Sequence, residues 1–430
     1  MADAAPTDRA SLRQNVVGGF LGSVLEWYDF VVYAYLAPIF AKHFFPSDDP
    51  FESLLASSGA FAVGFLARPV GAVVFGHLAD TKSRRLVLLV SMTIMGMATL
   101  AIGLLPGAAE LGVAAGILLV LLRLIQGFSL AGENCSGWAF IAEHAPDGRR
   151  GYLLSWWAGF ACSGVLIGSL LVTAMTHVLG EAQMADWGWR VPFILGAVMS
   201  AVIFWIRRRT VEPEGMRQLA EREALPINTV LRHHKRDLLR LCAINLAEGV
   251  VFYFVLVYAL AYLTQQMHVS TARAMDINIL SIVIIMVLPI PLGALSDRIG
   301  RKPILLIAVG GLALLSWPLF WLMHQPDIAA IVAAQIGFAV LLSFYLASMV
   351  AMQAEIVPPG VRATLLALAI SLTNAVFGGT TPMILTYLVH RTSDDFAAIY
   401  YVIGACLVTL AVVLRLPETK GVSMFPDRSP

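Results

Sequence analysis

The feature that most constrains this chain is a series of apolar segments, each long enough to cross a lipid bilayer. A helix needs about 20 apolar residues to span the hydrocarbon core. Twelve segments reach that length, centred near residues 28, 68, 95, 127, 163, 198, 252, 285, 313, 341, 375 and 405. Hydrophobic residues make up 58% of the chain and charged residues 13%, whereas soluble domains are about a quarter charged. The sequence therefore predicts an all-α integral membrane protein whose fourth and tenth segments extend beyond one span.

The Lys and Arg residues predict how these segments are oriented. If the N-terminus lies inside, only four of the 29 basic residues fall in outside loops: Lys42, Arg190, Arg273 and Arg391. Two more, Arg68 and Arg123, fall within apolar segments, and all others lie inside. The positive-inside rule then predicts that both termini are cytoplasmic.

One long polar segment divides the chain. Residues 207–240 are predicted to form a cytoplasmic linker between an N-terminal six-helix half, 1–206, and a C-terminal half with its tail, 241–430. The halves share two motifs: GHLADTKSRR (76–85) corresponds to GALSDRIGRK (293–302), and EHAPDGRR (143–150) corresponds to EIVPPGVR (355–362). Duplicated halves with pseudo-symmetry are typical of secondary transporters.

These motifs closely resemble those of the major facilitator superfamily. Residues 293–302 match its loop pattern G-x-x-x-D-R-x-G-R-K, whereas the first copy has Thr81 and Ser83 in place of Arg and Gly. The segments EWYDF, RPVGAVVFGHLAD, RLIQGFSLAGE, WGWRVPF, FGGTTP and LPETKG resemble the metabolite:proton symporter branch, which transports citrate, 2-oxoglutarate, shikimate, and proline or betaine. The resemblance implies a monomeric symporter of a bacterial-type inner membrane that needs no cofactor beyond the proton gradient.

The first span carries two carboxylates. Glu26, Asp29 and Tyr33 follow an i, i+3, i+7 pattern that places them on one helical face. An ionisable group inside a membrane costs about 2.5–3.5 kcal/mol and marks a functional site by default. We expect Glu26 and Asp29 either to carry protons or to form fixed ion pairs. Arg68, in the second span, is expected to neutralise one of them or to bind a substrate carboxylate.

The fourth span contains a further candidate group. The resemblance makes Arg123 the Arg of an RxxQG motif linked to proton coupling. Asn134 falls on nearly the same helical face as Arg123, while Glu133 points roughly 80° away. Arg123 is therefore predicted to influence a nearby acid or to bind an anionic substrate. The alternative is a packing ion pair between Arg123 and Glu133.

The second half contains fewer buried charges. Glu248 is its clearest buried acid, and Asn374 precedes a glycine-rich break in span eleven that is expected to expose backbone groups to a cavity. Counting Glu26, Asp29, Glu133 and Glu248 against the two intramembrane Arg residues predicts a surplus of negative charge. Protonation would reduce that surplus and admit an anion, whereas a zwitterion would use an acid for its ammonium and an Arg for its carboxylate.

The repeated loop motifs predict a gate at the cytoplasmic ends of the spans. The resemblance implies that ion-pair clusters latch the halves in one state and break in another. Because exposed ion pairs are individually weak, several are expected to act together. The alternative, topology alone, explains the Arg residues but not the matched acids. The predicted gate residues are Asp80, Arg84, Glu143 and Arg150 in the first half, and Asp297, Arg301, Glu355 and Arg362 in the second.

Three functional hypotheses remain. The preferred one is proton symport of a small organic acid by alternating access. It is favoured because the given sequence ends soon after LPETKG, whereas the best-known osmolyte carrier of this branch has a long cytoplasmic extension there. The first alternative is proton symport of a zwitterion such as proline or betaine, and a more distant one is a membrane sensor that transports nothing. No nucleophile–base pair, metal-ligand spacing or P-loop indicates an enzyme, and no polybasic arm indicates nucleic acid.

Overall fold

Twelve helices long and apolar enough to cross a membrane make up most of the described part of the chain. The computed structural model describes residues 9–208, 230 and 232–424. Each expected segment centre lies within one of these helices, so the expected spans are confirmed. In chain order they are α1 (Phe20–Phe44), α2 (Gly59–Thr81), α3 (Arg84–Leu104), α4 (Val113–His144), α5 (Arg150–Gly180), α6 (Met184–Arg207), α7 (Lys235–Thr264), α8 (Arg273–Ile299), α9 (Arg301–Met323), α10 (Ile328–Ile356), α11 (Pro359–Thr392) and α12 (Ala397–Arg415).

Several helices exceed the length that one span needs. As expected, α4 and α10 are long, at 32 and 29 residues. Helix α11 is longer still, at 34 residues, but a π-helical turn at Asn374–Gly378 interrupts it. A second π-helical turn, Phe254–Tyr258, lies within α7. Such turns shift the helical register and are frequent at functional sites.

Polar residues at loop ends explain where some helices begin. The side chain of Ser83 accepts a hydrogen bond from the backbone N–H of Leu86 at 3.0 Å and caps α3. The side chain of Asp327 likewise accepts from the N–H of Ala329 at 3.1 Å and caps α10. Both contacts satisfy N–H groups that have no partner within the helix. Ser83 therefore has a local role where the family pattern has Gly.

The described residues fall into two compact units that do not follow the order of the sequence halves. Unit 1 comprises the described residues of 1–145, 163–227 and 360–367, and unit 2 those of 146–162, 228–359 and 368–430. Each unit thus includes a short segment from the other half of the chain. The boundaries proposed from the sequence stay a prediction, and residues 209–229 of the predicted linker lie outside the described residues.

Glycines bring α2 and α4 of unit 1 into direct backbone contact. A Cβ atom on Gly127 would lie 1.8 Å from the carbonyl oxygen of Gly64, and one on Gly71 would lie 2.0 Å from the carbonyl oxygen of Phe128. Small residues permit this approach, which is a common means of packing helices in membranes. The contact places Arg68 of α2 and Arg123 of α4 around the same small cavity.

Aromatic side chains fill the core of unit 1 at one end of α1. Phe40, Phe44, Trp189 and Phe193 are buried, and their ring centroids lie 5.3–6.5 Å apart where they meet. Trp189 and Phe193 belong to the WGWRVPF segment, which therefore joins the start of α6 to α1. Aromatic pairs at these distances stabilise a core beyond the area that they bury.

Candidate transport site

Asp29 and Arg123 form a buried ion pair within unit 1. Nη1 of Arg123 lies 2.7 Å from Oδ2 of Asp29, and both side chains are almost fully buried. The ring of Tyr33 lies against the guanidinium, 4.3 Å from centroid to Cζ, and its hydroxyl donates to the carbonyl oxygen of Ser57. Of the predicted candidates, Asp29, Tyr33 and Arg123 are thus brought together by α1 and α4.

Gln126 and Thr99 complete the surroundings of Asp29, and the sequence analysis assigned them no role. The amide nitrogen of Gln126 donates to Oδ1 of Asp29 at 3.0 Å and to the hydroxyl of Thr99 at 2.8 Å. Its amide oxygen accepts from Arg123 at 2.7 Å. The position of Gln126, three residues after Arg123, indicates from the sequence alone that the two side chains lie side by side, because residues at i and i+3 are neighbours on a helix. No comparable pattern in the sequence marks the uncharged Thr99.

Glu26 and Arg68 form a second pair beside the first. Nη2 of Arg68 lies 3.2 Å from Oε1 of Glu26, and its Cζ lies 4.4 Å from the centroid of the Phe65 ring. Of the two partners that the sequence allowed for Arg68, the structure selects Glu26. Both ion pairs line one small cavity of about 20 Å³. Two acids and two Arg residues therefore share this site, with formal charges that cancel.

Glu133 lies apart from this site. Its Oε1 accepts from Nη1 of Arg207 at 2.7 Å and from the hydroxyl of Ser91 at 2.8 Å. The alternative pairing of Glu133 with Arg123 is therefore wrong, because Arg123 faces Asp29. Arg207 was counted among the cytoplasmic residues, since an Arg at the end of a span looks like a topology signal. The neighbouring Asn134 is a helical residue whose side chain is outside the description.

In unit 2 the predicted polar residues lie on α7 and α11. Glu248 is buried at 5% exposure, and the neighbouring Asn245 exchanges hydrogen bonds with Gln353 of α10 at 2.9 and 3.3 Å. Asn374 begins the π-helical turn of α11, and its side-chain oxygen lies close to Gly378. The amides of Asn245 and Gln353 thus satisfy each other.

The hydroxyls of two threonines bond backbone carbonyls near the break in α11. Thr380 and Thr381 donate to the carbonyl oxygens of Val376 and Phe377. The glycine-rich sequence predicts that backbone groups here face a cavity. For these two carbonyls, local hydroxyl groups supply a hydrogen bond within the helix instead, as Ser and Thr do in other interrupted membrane helices.

The first charge cluster, in unit 1, consists of Asp80, Arg84, Glu143 and Arg362. Arg84 donates to both oxygens of Glu143, at 2.8 and 2.9 Å, and to Asp80 at 2.8 Å. Arg362 also donates to Glu143, at 2.9 Å. Asp80 in addition accepts the backbone N–H groups of Ala363 and Thr364, at 3.0 and 2.8 Å. The Asp80–Arg84 contact therefore forms although Thr81 departs from the family pattern.

The second charge cluster, in unit 2, repeats this arrangement with Asp297, Arg301, Glu355 and Arg150. Arg301 contacts Asp297 at 2.7 Å and Glu355 at 3.1 Å, while Arg150 lies 3.7 Å from Glu355. Asp297 accepts the backbone N–H groups at positions 151 and 152, at 2.9 and 2.8 Å. In each cluster, a carboxylate from the loop motif caps the first turn of a helix.

Two expectations about these clusters need correction. The sequence predicts that Arg150 and Arg362 each join the acids of their own half. In the structure, Arg150 instead lies beside Glu355 and Arg362 contacts Glu143. The pairs were also treated as exposed, whereas the side chains of Arg84 and Glu143 are fully buried. Removing one partner of a buried pair is strongly destabilising, because an uncompensated charge remains.

The LPETKG segment after α12 bonds to the second charge cluster. The hydroxyl of Thr419 donates to Glu355 at 2.7 Å, and Glu418 accepts the backbone N–H groups of Arg301 and Lys302 at 2.8 and 3.1 Å. Partial burial tends to raise the pKa of Glu418, but the N–H groups of Arg301, Lys420, Lys302 and Thr419 outweigh it and lower that pKa below its ordinary value. Glu418 therefore caps α9 as an anion.

The comparisons with known proteins agree with this architecture. The family model of the Major Facilitator Superfamily matches residues 19–325 and 241–429. The chain is 31% identical over 432 positions to the proline/betaine transporter of Salmonella typhimurium, covering 97% of this chain and 86% of the relative. It is 31% identical over 430 positions to the glycine betaine/proline/ectoine/pipecolic acid transporter of Dickeya dadantii, covering 97% and 85%. A putative proline/betaine transporter of Staphylococcus aureus is 33% identical over 424 positions, with 97% and 91% covered.

A solved structure has the same fold. The proton:xylose symporter XylE, bound to 6-bromo-6-deoxy-D-glucose, superposes with a TM-score of 0.79 at 18% identity, covering 97% of this chain and 98% of XylE. The fold prediction is thereby confirmed. The family model and the sequence relatives place the chain among transporters rather than enzymes. This twelve-span membrane protein belongs to the Major Facilitator Superfamily, in the metabolite:proton symporter branch that its motifs indicated.

Proposed function

We propose that this protein is a proton symporter of a bacterial inner membrane that carries a small zwitterion, of the proline or betaine kind, by alternating access. The similarity to proline/betaine transporters over nearly the whole chain supports this substrate class. The structural observation that carries the proposal is the pairing of the intramembrane charges in unit 1. Three acids lie against three Arg residues, and their formal charges cancel.

This pairing favours a zwitterion over the organic acid that the sequence analysis preferred. The negative surplus counted from the sequence left out Arg207, which lies against Glu133. With Arg68, Arg123 and Arg207 each paired with an acid, the unprotonated site offers no surplus positive charge to a substrate of two or three negative charges. A zwitterion adds no net charge, so it enters such a site at lower electrostatic cost.

Protonation of Asp29 links the proton gradient to the substrate. A proton on this carboxylate removes the charge that holds Arg123 at 2.7 Å. Arg123 is then available for the substrate carboxylate, which its planar guanidinium suits well. Return of the proton to solvent restores the Asp29–Arg123 pair and displaces the substrate. Substrate and proton therefore move in the same direction.

The charge clusters act as latches within their units. The first cluster fastens residues 360–367 to α2, α3 and α4, and the second fastens the start of α5 to α8, α9 and α10. We infer that both clusters close in one state of the transport cycle and open in another. We propose further that the protein is a monomer, and that both termini are cytoplasmic, as the distribution of Lys and Arg predicts.

Uptake by proteoliposomes tests the proposal. Under an imposed inward proton gradient we expect labelled proline or betaine to accumulate above its equilibrium level, and a protonophore to abolish the accumulation. Citrate, 2-oxoglutarate and shikimate should not accumulate. If one of these acids accumulated and neither zwitterion did, the protein would be an organic-acid symporter. If a substrate bound but was not taken up, the hypothesis of a membrane sensor would be favoured.

A matched pair of variants tests the role of Asp29. Asp29→Asn should abolish proton-driven accumulation but retain exchange of substrate across the membrane, because Arg123 is then no longer held by a carboxylate at position 29, whether or not a proton is bound. Glu110→Gln is the control, since Glu110 lies exposed on the short helix Ala108–Leu111. If Asp29→Asn still accumulated substrate like Glu110→Gln, another group would carry the proton.

A further inference from the structure

The cavity between the two ion pairs of unit 1 has the size and lining of a site for one water molecule. Its volume is about 20 Å³, and a water requires at least about 10–15 Å³. The polar side chains in its wall are Glu26, Asp29, Arg68, Arg123 and Gln126. Phenylalanines, leucine and glycines form the rest of the wall. The cavity is too small for a substrate.

The two Arg residues that line this cavity each have one side-chain nitrogen without an acceptor among the described residues. Nε of Arg68 and Nε of Arg123 are buried, and no described residue accepts a hydrogen bond from either. Leaving such a donor unsatisfied costs about 1–3 kcal/mol, and more when the group is charged. A ligand here must accept from two Arg donors and also lie beside two carboxylates. A water molecule does both, whereas an anion would be repelled by the acids and a cation by the Arg residues.

We propose that a bound water joins the Glu26–Arg68 and Asp29–Arg123 pairs into a single site that holds one shared proton. The water donates one hydrogen towards each carboxylate. When a protonated Glu26 gives its proton to the water, the water passes one of its own to Asp29, so that Glu26 becomes the carboxylate and Asp29 the acid. This inference rests on the proposed proton-coupled function and specifies the group that takes the proton.

The charges of the site explain why one proton binds rather than two. With both carboxylates ionised, the two acids and two Arg residues cancel. One proton leaves a single positive charge, and a second would leave two in a largely apolar wall that has no room for a counter-ion. Separate positive charges in such surroundings are costly. The second protonation is therefore suppressed, as in other pairs of coupled titrating groups.

Other titratable groups near the pair have partners of their own. Tyr28 of α1 donates its hydroxyl to the carbonyl oxygen of Pro192 at 2.6 Å, and Tyr33 donates to Ser57. Arg207 of α6 contacts Glu133, and α3 contributes the uncharged Thr99 beside Asp29. The proton count of the site is thus set by its two carboxylates and two Arg residues.

Proton uptake by the purified full-length protein tests the shared proton. Between mildly alkaline and mildly acidic pH, the wild type should take up one proton more than the Glu26→Gln, Asp29→Asn double variant. In the Glu26→Gln single variant, the midpoint of proton uptake should require a proton concentration at least about tenfold higher than in the wild type, because Arg68 is then uncompensated. A difference of two protons or none, or an unchanged midpoint in the single variant, would overturn the shared site.

Infrared spectroscopy of the wild type tests the water without relying on any variant. The spectrum at acidic pH minus that at alkaline pH should contain a water O–H band that shifts in H₂¹⁸O. The absence of such a shift would overturn the bound water. If the proton difference is not one but the wild type still takes up substrate under a proton gradient, only the shared site is refuted. If the wild type shows no gradient-driven uptake, the proposed symport itself is refuted.

Discussion

Glu143→Gln is the change that most directly tests the buried character of the first charge cluster. Glu143 accepts from Arg84 at 2.8 and 2.9 Å and from Arg362 at 2.9 Å, and all three side chains are nearly or fully buried. The four charges of the cluster cancel in the wild type. The glutamine keeps the shape but leaves one positive charge uncompensated. Breaking a buried pair in this way should lower the free energy of unfolding by about 3–5 kcal/mol.

The measurement is equilibrium unfolding of the purified protein by SDS in detergent micelles, followed by tryptophan fluorescence. Asp147→Asn is the matched control, because Asp147 contacts Arg150 at 2.7 Å but its side chain is 94% exposed. In that variant the free energy of unfolding should fall by at most about 1 kcal/mol, because exposed ion pairs contribute no more than this. If Glu143→Gln lowered the free energy of unfolding no more than Asp147→Asn does, the cluster would not be a buried ion-pair network and could not serve as a stable latch.

Three further predictions concern pH, packing and topology. Because the pKa of Glu418 is lowered in the folded protein, its anion should stabilise α9 above the ordinary carboxyl pKa of about 4.3, and this contribution should disappear as the pH falls through the lowered value. Glu418→Gln should therefore lower the unfolding free energy by about 1 kcal/mol at neutral pH and by less in acid; a difference that did not change with pH would contradict this. Gly127→Ala should prevent folding into a monodisperse species on size-exclusion chromatography, because its Cβ would meet the carbonyl of Gly64, whereas Gly404→Ala, which meets nothing within 4 Å, should fold normally. In a cysteine-free background, a thiol reagent that cannot cross membranes should label Lys42→Cys from outside the cell and Arg298→Cys only after lysis; the reverse pattern would refute the proposed orientation.

Local features of the sequence were sufficient to predict the spans. Whether a segment can cross a bilayer depends on its own length and composition, and each of the twelve segment centres lies in a helix of the structure. The motifs also predicted the family, because spaced residues such as Asp297, Arg301 and Lys302 are read directly from the chain. The i, i+3 spacing of Glu26 and Asp29 likewise predicted that both would face one site, and both line the same cavity.

The partners of the charged residues were decided only by the tertiary structure. Sequence reasoning offered Arg68 two acids and Arg123 an alternative partner in Glu133, and it placed Arg207 outside the spans. The structure pairs Arg68 with Glu26, Arg123 with Asp29 and Arg207 with Glu133, and it exchanges Arg150 and Arg362 between the clusters. The physical reason is that hydrophobicity acts along a segment, whereas an ion pair joins atoms that lie within about 4 Å of each other on different helices. Which helices meet, and how they are rotated, is set by packing contacts such as that of Gly127 with Gly64, and these depend on the whole fold.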